Sequence, residues 1–305
     1  MSEPTAPTYV CVGSIFIDDI VFPDGRTVMG VLGGAGTHAA AGVCVWGERP
    51  GLVCYAGKGM PPAAQAQMDR DFDMRGVLPI DIPQGRAWQI FEWDNRRIEI
   101  FRVDNIDPFA YEPQPDKLTP IFFEAQAFTV LRGAENFAKW RAAMPNKLLL
   151  WEPDSLYMEP RNRASYLATL PQADVVSPNL LESQTILEIK DAETIVRMML
   201  DNGAKIAALR MGERGSLLGK QGQRELIHVP PVPVPEVVDQ TGAGNSFCGG
   251  FLVGWHRTGD LRTAGCYGAV SASFTLEQMG LADPTRVDLE VERAKRLEWA
   301  LANVG

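Results

Sequence analysis

A glycine-rich turn near residue 240 is the part of this sequence best suited to chemistry on a phosphate group. The turn, Asp239 to Asn245 (DQTGAGN), lies between an apolar run and an apolar segment of helix length. The first N–H groups of such a helix have no intrahelical acceptor, and glycines let an anion approach them closely. The pattern predicts an anion site at Gly242, Ala243 and Gly244, although an ordinary glycine-capped turn would give the same residues.

The elements around this turn follow a β-to-α order. Tyr9 to Gly13 is a short apolar run that predicts a buried strand, and Ala35 to Trp46 is compatible with a helix. Similar short runs, separated by segments long enough for helices, recur at Ala127 to Leu131, Lys147 to Trp151, Asp174 to Val176 and Lys205 to Leu209. Strands that alternate with helices predict an α/β fold with a mostly parallel sheet.

Two segments interrupt this order and predict a small β insertion. Ile15 to Met29 alternates weakly and contains the turn signal Pro23-Asp24-Gly25. Ala87 to Val103 alternates on both sides of Asp94-Asn95, which predicts a β-hairpin. Because no repeat or interdomain linker is present, we expect one domain over residues 1–305 with insertions at about 15–29 and 87–103.

Composition and charge favour an ordinary globular protein. The chain has 305 residues, of which 46% are hydrophobic and 22% charged, and a formal net charge of -9. This charge, without a polybasic stretch, argues against nucleic acid and membrane surfaces as partners. The five cysteines show no metal-binding or redox spacing, and the first residues do not resemble a signal peptide, so we expect reduced thiols and a cytoplasmic location.

The longer string DQTGAGNSFCGGF resembles the D-x-x-G-A-G-D-x-F-x-x-G-F signature of the ribokinase-like (PfkB) family of sugar and nucleoside kinases. Further motif-like segments follow the family's order over about residues 9 to 280. The resemblance implies a three-layer α/β/α domain with a mostly parallel central sheet and a small β-strand lid. It also implies ATP and Mg²⁺ as cofactors, K⁺ as a further candidate, and a homodimer through the lid as a candidate assembly.

On the acceptor side, the resemblance implies that Asp18, five residues after the strand-ending Gly13, binds hydroxyl groups of the substrate. Gly33 and Gly34 match a paired-glycine motif that admits the substrate, and His38 stands where the family has asparagine. Histidine has a different reach, so we expect a different hydroxyl pattern to be recognised. Without the resemblance, Asp18 would be interpreted as a solvated loop residue and His38 as a structural one.

On the nucleotide side, Arg210, Gly212 and Gly215 match the family's T-x-G-x-x-G segment, which lies along the nucleotide phosphates and ribose. Arg210 would supply positive charge there, while a surface β-turn is the alternative. Asn179 and Glu182 match an N-x-x-E motif that implies organisation of Mg²⁺ through water. A capping arrangement at a helix start explains those two residues equally well.

Asn245 is the main departure from the family, which has an aspartate there to take the proton from the attacking hydroxyl. A carboxamide positions a hydroxyl but is not basic at neutral pH. A general base contributes about 10² to 10⁴ in rate, whereas phosphoryl transfer depends mainly on positioning and electrostatics. Asp239 is the nearest acid in sequence, but the resemblance gives it a monovalent-cation or loop-holding role.

Two functions are therefore expected as alternatives. The first is an ATP-dependent phosphotransferase that acts on a hydroxyl group of a sugar or nucleoside, with Asn245 and the Gly242 to Gly244 turn as its catalytic groups. The second is a weak or inactive family member that binds nucleotide or sugar in a regulatory or structural role.

Overall fold

The strands of the protein form two separate β-sheets in the computed structural model, which describes residues 5–93, 97–102 and 112–305. The strands are β1 (Tyr9–Val12), β2 (Phe16–Val21), β3 (Thr27–Gly33), β4 (Gly51–Lys58), β5 (Asp73–Pro83), β6 (Arg86–Phe91), β7 (Arg97–Phe101), β8 (Ala127–Leu131), β9 (Leu148–Glu152), β10 (Val175–Val176), β11 (Ile206–Arg210), β12 (Ser216–Lys220) and β13 (Ile227–Val229). The α-helices are α1 (Ala35–Cys44), α2 (Pro62–Asp71), α3 (Ala134–Ala143), α4 (Arg163–Thr169), α5 (Leu180–Leu187), α6 (Ala192–Asp201), α7 (Ala243–Thr258), α8 (Leu261–Leu276) and α9 (Leu289–Asn303).

The larger sheet has nine strands in the order β13-β12-β11-β10-β9-β8-β1-β4-β5. All neighbours from β11 to β5 pair in parallel, and β12 and β13 add antiparallel strands at one edge. The sequence-predicted runs form β8, β9, β10 and β11 within one residue of the expected bounds. The predicted mostly parallel sheet is confirmed.

Helices cover both faces of this sheet, so its central strands are buried on both sides. Tyr9 and Cys11 of β1 pack into one hydrophobic core with α1, α7 and α8, whereas Val10 and Val12 pack into a second core with α3 and α6. Successive side chains of a strand point to opposite faces, so these two cores lie on opposite sides of the sheet. The predicted three-layer α/β/α architecture is confirmed.

The smaller sheet has four strands in the order β3-β2-β6-β7, and we call it the lid. β2 pairs antiparallel with β3 and parallel with β6. β6 pairs antiparallel with β7, as the predicted hairpin requires. The expected hairpin turn, Asp94-Asn95, and its end, Val103, lie outside the described residues. β3 continues to Gly33, past the predicted segment 15–29. The extents of the insertions and the single-domain organisation stay predictions.

All five cysteines are buried, and none forms a disulfide. Burial raises the pKa of the Cys11 thiol to about 12, so this group stays protonated at neutral pH.

Among the helices of the described residues, none is both long enough and apolar enough to cross a membrane.

Candidate active site

The polar residues of the candidate site gather at the carboxyl edge of the large sheet, where ligands bind in open parallel sheets. Glu152 is the last residue of β9 and Arg210 is the last residue of β11. The amino ends of two helices meet at the same place. Gly34 precedes α1, Gly242 precedes α7, and both glycines have positive φ, at 104° and 74°. This edge therefore combines charged side chains with helix N–H groups.

Two glycines at the start of α7, Gly242 and Gly244, lie directly against other side chains. A Cβ added at Gly242 would lie less than 3.0 Å from the ring of His38, and one added at Gly244 would lie less than 3.0 Å from Arg210. The first turn of α7 contains no acidic residue. The Ala243 N–H donates to the Gln240 carbonyl oxygen at 3.3 Å. The other first N–H groups of α7, the helix dipole and a nearby guanidinium fit an anionic ligand such as the phosphates of ATP. The catalytic role of this turn stays a prediction.

A buried ionic network lies directly beside this turn. Asn245 donates from Nδ2 to Glu152 Oε1 at 2.9 Å, and Arg210 Nη1 lies 2.8 Å from the same oxygen. Arg210 Nη2 donates to the carbonyl oxygen of Ser177 at 2.9 Å. Glu152 is 3% exposed. No sequence pattern indicates Glu152, because it follows an apolar run and belongs to none of the motifs.

Burial and ion pairing have opposite effects on the pKa values of Glu152 and Arg210. Burial raises the pKa of Glu152, and Arg210 and Asn245 oppose part of that rise. Burial would lower the pKa of Arg210, but the Glu152 and Glu182 carboxylates outweigh it and hold that pKa above its ordinary value. Arg210 is therefore charged at neutral pH, and its charge is balanced chiefly by Glu152.

The two adjacent aspartates of β2 have different surroundings. Asp18 is buried, accepts from Gln89 Nε2 at 2.9 Å, and lies against the backbone of Gly33. Asp19 is fully buried between Arg86 and Arg102, and its Oδ1 is 2.7 Å from Arg86 Nη2. The alternative interpretation of Asp18 as a solvated loop residue is wrong. Asp19 holds the lid strands together through these ion pairs. The substrate-binding role of Asp18 stays a prediction.

The segments predicted to bind the acceptor and the phosphate contact each other. Gly33 ends β3 beside Asp18, and Gly34 caps α1. His38, one turn into α1, is buried with its ring against Gly242. Motifs that are about 200 residues apart in the sequence therefore adjoin in the fold.

Asn179 and Glu182 form a capping box at the start of α5. Asn179 Oδ1 accepts from the Glu182 backbone N–H at 2.9 Å, and a Glu182 carboxylate oxygen lies 3.4 Å from the Asn179 N–H. Arg210 donates its own N–H to the Pro178 carbonyl oxygen at 3.0 Å, so this cap adjoins the network. The capping alternative is thus present in the structure, and the predicted Mg²⁺ role stays a prediction.

The remaining predicted residues lie in tight loops near the network. Asp239 Oδ1 accepts from the Thr241 N–H at 2.8 Å, which is the loop-holding contact expected for it. Gly212 and Gly215 have φ of 61° and 78° in the turn after β11, and the Met211 N–H donates to the Gly215 carbonyl oxygen at 2.7 Å. Within the described ranges, no group of three or more histidine, cysteine or acidic side chains forms a metal site.

A match to a family model shows to which family the chain belongs. The model for pfkB family carbohydrate kinases matches residues 126–287, which is more than half of the chain. The chain belongs to the PfkB carbohydrate kinase family. Membership confirms the predicted class, a kinase of the sugar and nucleoside type, and the matched segment contains Glu152, Arg210 and Asn245.

Individual relatives agree with this family. The cytidine kinase of Thermococcus kodakarensis is 26% identical over 274 residues, covering 89% of this chain and 96% of the relative. A putative ribokinase II from E. coli in complex with ATP and Mg²⁺ superposes with a TM-score of 0.76 at 18% identity, covering 95% and 99% of the two chains. The nucleoside kinase of Burkholderia thailandensis in complex with inosine gives 0.73 at 17% identity, covering 96% and 98%. The two structural likenesses show the ribokinase-like fold.

Proposed function

We propose that this PfkB family member transfers the γ-phosphoryl group of ATP to a hydroxyl group of a nucleoside or a sugar. The observation that carries the proposal is the packing of His38 against Gly242. This contact joins the acceptor motif of β2, β3 and α1 to the anion-binding turn of α7. An acceptor held by Asp18 and His38 would therefore lie beside a phosphate held at the start of α7.

The chemistry asks the protein mainly for positioning and for electrostatic stabilisation. The acceptor oxygen forms a bond to the γ-phosphorus while the bond to the bridging oxygen breaks, and that electron pair leaves with ADP. Asp18 accepts hydrogen bonds from acceptor hydroxyls, and the N–H groups of Gly242 and Gly244 bind phosphoryl oxygens. Asn245 orients the attacking hydroxyl. The hydroxyl proton passes to an oxygen of the transferred phosphoryl group, whose second pKa is about 6, and then to solvent.

Asn179 and Glu182, whose capping box adjoins Arg210, fit Mg²⁺ through water. Their capping contacts occupy Asn179 Oδ1 and engage the Glu182 carboxylate, so bound water is the natural link to the ion. When bound, Mg²⁺ neutralises charge on the nucleotide phosphates. K⁺ dependence and a cytoplasmic location stay predictions.

A nucleoside is the acceptor class that the similarity to the Thermococcus kodakarensis cytidine kinase favours. His38 gives this site an imidazole where the family motif has a carboxamide, so its hydroxyl preference should differ from that of ribokinase. A homodimer through the lid is supported by exposed apolar side chains on β7, where Ile98, Ile100 and Phe101 are 41%, 48% and 49% exposed.

A member that binds ligands without turnover is the second candidate, and Asn245 is the observation that favours it. The loss of a general base costs about 3 to 5 kcal/mol of transition-state stabilisation, which still leaves positioning and electrostatic effects in place. The two candidates differ in product formation and agree in ligand binding.

The deciding experiment incubates the protein with ATP, Mg²⁺ and K⁺ against a panel of nucleosides and sugars. ADP release, a phosphorylated product by mass spectrometry, and ligand-induced thermal shift are recorded together. We expect acceptor-dependent ADP release that Asp18→Asn abolishes while the ATP-induced shift remains. Asp201→Asn, which makes the same change at the exposed end of α6, serves as the matched control. Thermal shifts without product would favour the second candidate, and no response to any ligand would contradict both.

A further inference from the structure

Position 245 has an amide where the family motif has a carboxylate, and this amide is hydrogen-bonded to the carboxylate of Glu152. We propose that Glu152 is a positioning residue for phosphoryl transfer, which orients the Asn245 carboxamide toward the acceptor hydroxyl and holds Arg210 against the first turn of α7. The proposal rests on the proposed function, and it makes Glu152 and Asn245 one functional pair.

The first step concerns the orientation of the amide. An ionised carboxylate only accepts hydrogen bonds, so the Asn245 group that faces Glu152 at 2.9 Å must be the Nδ2 donor. The carboxamide oxygen then faces away from Glu152 and is the acceptor that can meet a substrate hydroxyl. Without Glu152, nothing in this contact would distinguish the two ends of the amide. Glu152 therefore selects the hydrogen-bonding end that Asn245 presents.

The second step concerns the charge beside α7. The Arg210 guanidinium is fixed at two points, by Glu152 Oε1 at 2.8 Å and by the Ser177 carbonyl oxygen at 2.9 Å. In that position, Arg210 occupies the space that a side chain at Gly244 would need. A fixed cation at this helix start stabilises charge on a transferring phosphoryl group without reorganisation. Removal of Glu152 would take away the main countercharge of the buried arginine.

Restoring the aspartate of the family motif at position 245 should create a conflict with Glu152. Asn245→Asp would place two carboxylates at the 2.9 Å contact now made by an amide and a carboxylate. Both cannot stay ionised at that separation, so the pKa of one must rise. The double variant Glu152→Gln/Asn245→Asp instead exchanges the two groups and keeps one donor facing one acceptor. It also keeps a single negative charge near Arg210.

The test compares the wild type, Asn245→Asp, Glu152→Gln and the double variant in steady-state kinetics across pH. Glu152→Gln should lower kcat by about 10²-fold with little change in the acceptor KM, since the lost interactions act on the transferring group. Asn245→Asp alone should not exceed the wild type at neutral pH, and the double variant should recover most of the kcat lost in Glu152→Gln. Glu135→Gln, whose side chain is 90% exposed in the parent protein, is the matched control.

Two results would overturn the proposal: an unchanged kcat in Glu152→Gln, or a kcat in Asn245→Asp that exceeds that of the wild type at neutral pH. If Glu152→Gln does not fold, Glu152→Asp carries the test, because it keeps the buried charge and shortens its reach. A kcat equal to that of the wild type in this variant would contradict the positioning role.

Failure of the proposed function would be visible separately. If the wild type shows no turnover, the proposal requires ADP release to appear in the double variant and not in Asn245→Asp alone; the opposite order refutes it. If no variant turns over, the proposed function fails, and the thermal shift induced by ATP decides the role of Glu152. Glu152→Gln should then lose that shift while Glu135→Gln keeps it, and retention of the shift in Glu152→Gln refutes the positioning role.

Discussion

Gly242→Ala should disrupt the junction at which His38 of α1 contacts the glycine before α7. Gly242 has φ 74° before α7, in the left-handed region that alanine avoids, and a Cβ there would meet the His38 ring at less than 3.0 Å. Both effects act at one position. The ring is fully buried in α1, so it has little space into which it could move.

The size of the effect follows from these two terms. Left-handed backbone costs a non-glycine residue about 1 to 2 kcal/mol, and insertion of a methyl group into a packed site costs about 1 to 3 kcal/mol more. The free energy of unfolding should therefore fall by about 2 to 5 kcal/mol. Gly259 offers a matched control, because it ends the same helix with φ 64° and has no neighbour within 4 Å of an added Cβ. Gly259→Ala should lose only the backbone term of about 1 to 2 kcal/mol.

The assay is denaturant unfolding of both variants, with ATP-induced thermal shift measured alongside. Gly242→Ala should lose more stability than Gly259→Ala and should respond less to ATP, because the added methyl group also crowds the anion site. His38→Ala combined with Gly242→Ala should restore about 1 to 3 kcal/mol, the packing term. Equal destabilisation by the two glycine substitutions, or no recovery in the double variant, would refute the proposed junction.

Three further predictions concern single residues of the site and the lid. Asn179→Ala should lower the free energy of unfolding by about 1 kcal/mol through loss of the cap, and it should raise the Mg²⁺ concentration needed for half-maximal activity; an unchanged requirement would restrict Asn179 to capping. His38→Asn should shift acceptor preference in the substrate panel, and an unchanged profile would remove His38 from the acceptor site. Burial alone would raise the pKa of Asp19, but hydrogen bonds from Arg86, the Gly30 N–H and Arg102 hold it below its ordinary value near 3.8. The stabilisation is therefore present above that value and is lost as pH falls through the lower folded pKa, so Asp19→Asn should cost about 2 kcal/mol at neutral pH and less in acid; a pH-independent difference in the unfolding midpoints would contradict this.

Local sequence patterns predicted those parts of the fold that are decided within one segment. Ala127 to Leu131 forms β8 with the expected bounds, because a short apolar run between polar residues fits a strand buried on both faces. The lid was harder to predict. β2 pairs in parallel with β6, which begins 65 residues after Val21, so no local alternation could reveal the pairing. β3 runs to Gly33 because its last residues pair with Phe16 and Ile17 of β2.

Asp18 illustrates a different limit of sequence patterns. Two adjacent aspartates on a strand point to opposite faces, so at most one of them can face a ligand bound on one side of the strand. The family resemblance selected Asp18, and the structure supplies the reason why Asp19 is unavailable: Arg86 and Arg102 enclose it. Neither arginine belongs to a motif. Arg86 begins β6, which pairs with β2, and Arg102 follows β7, which pairs with β6.

The Glu152 network could not be found from the sequence, because its geometry is set by strand order. β9, β10 and β11 are neighbours in the sheet, and strands lie about 4.8 Å apart, so the ends of β9 and β11 are about 10 Å apart. Arg210 spans this distance with a forked group that bonds Ser177 on the way and Glu152 at the far side. A lysine would present a single ammonium and could not keep both planar contacts. The identity of residue 245 is therefore coupled to residues 152 and 210 by the sheet order, and an amide at the start of α7 is compatible with transfer only while a carboxylate on β9 orients it.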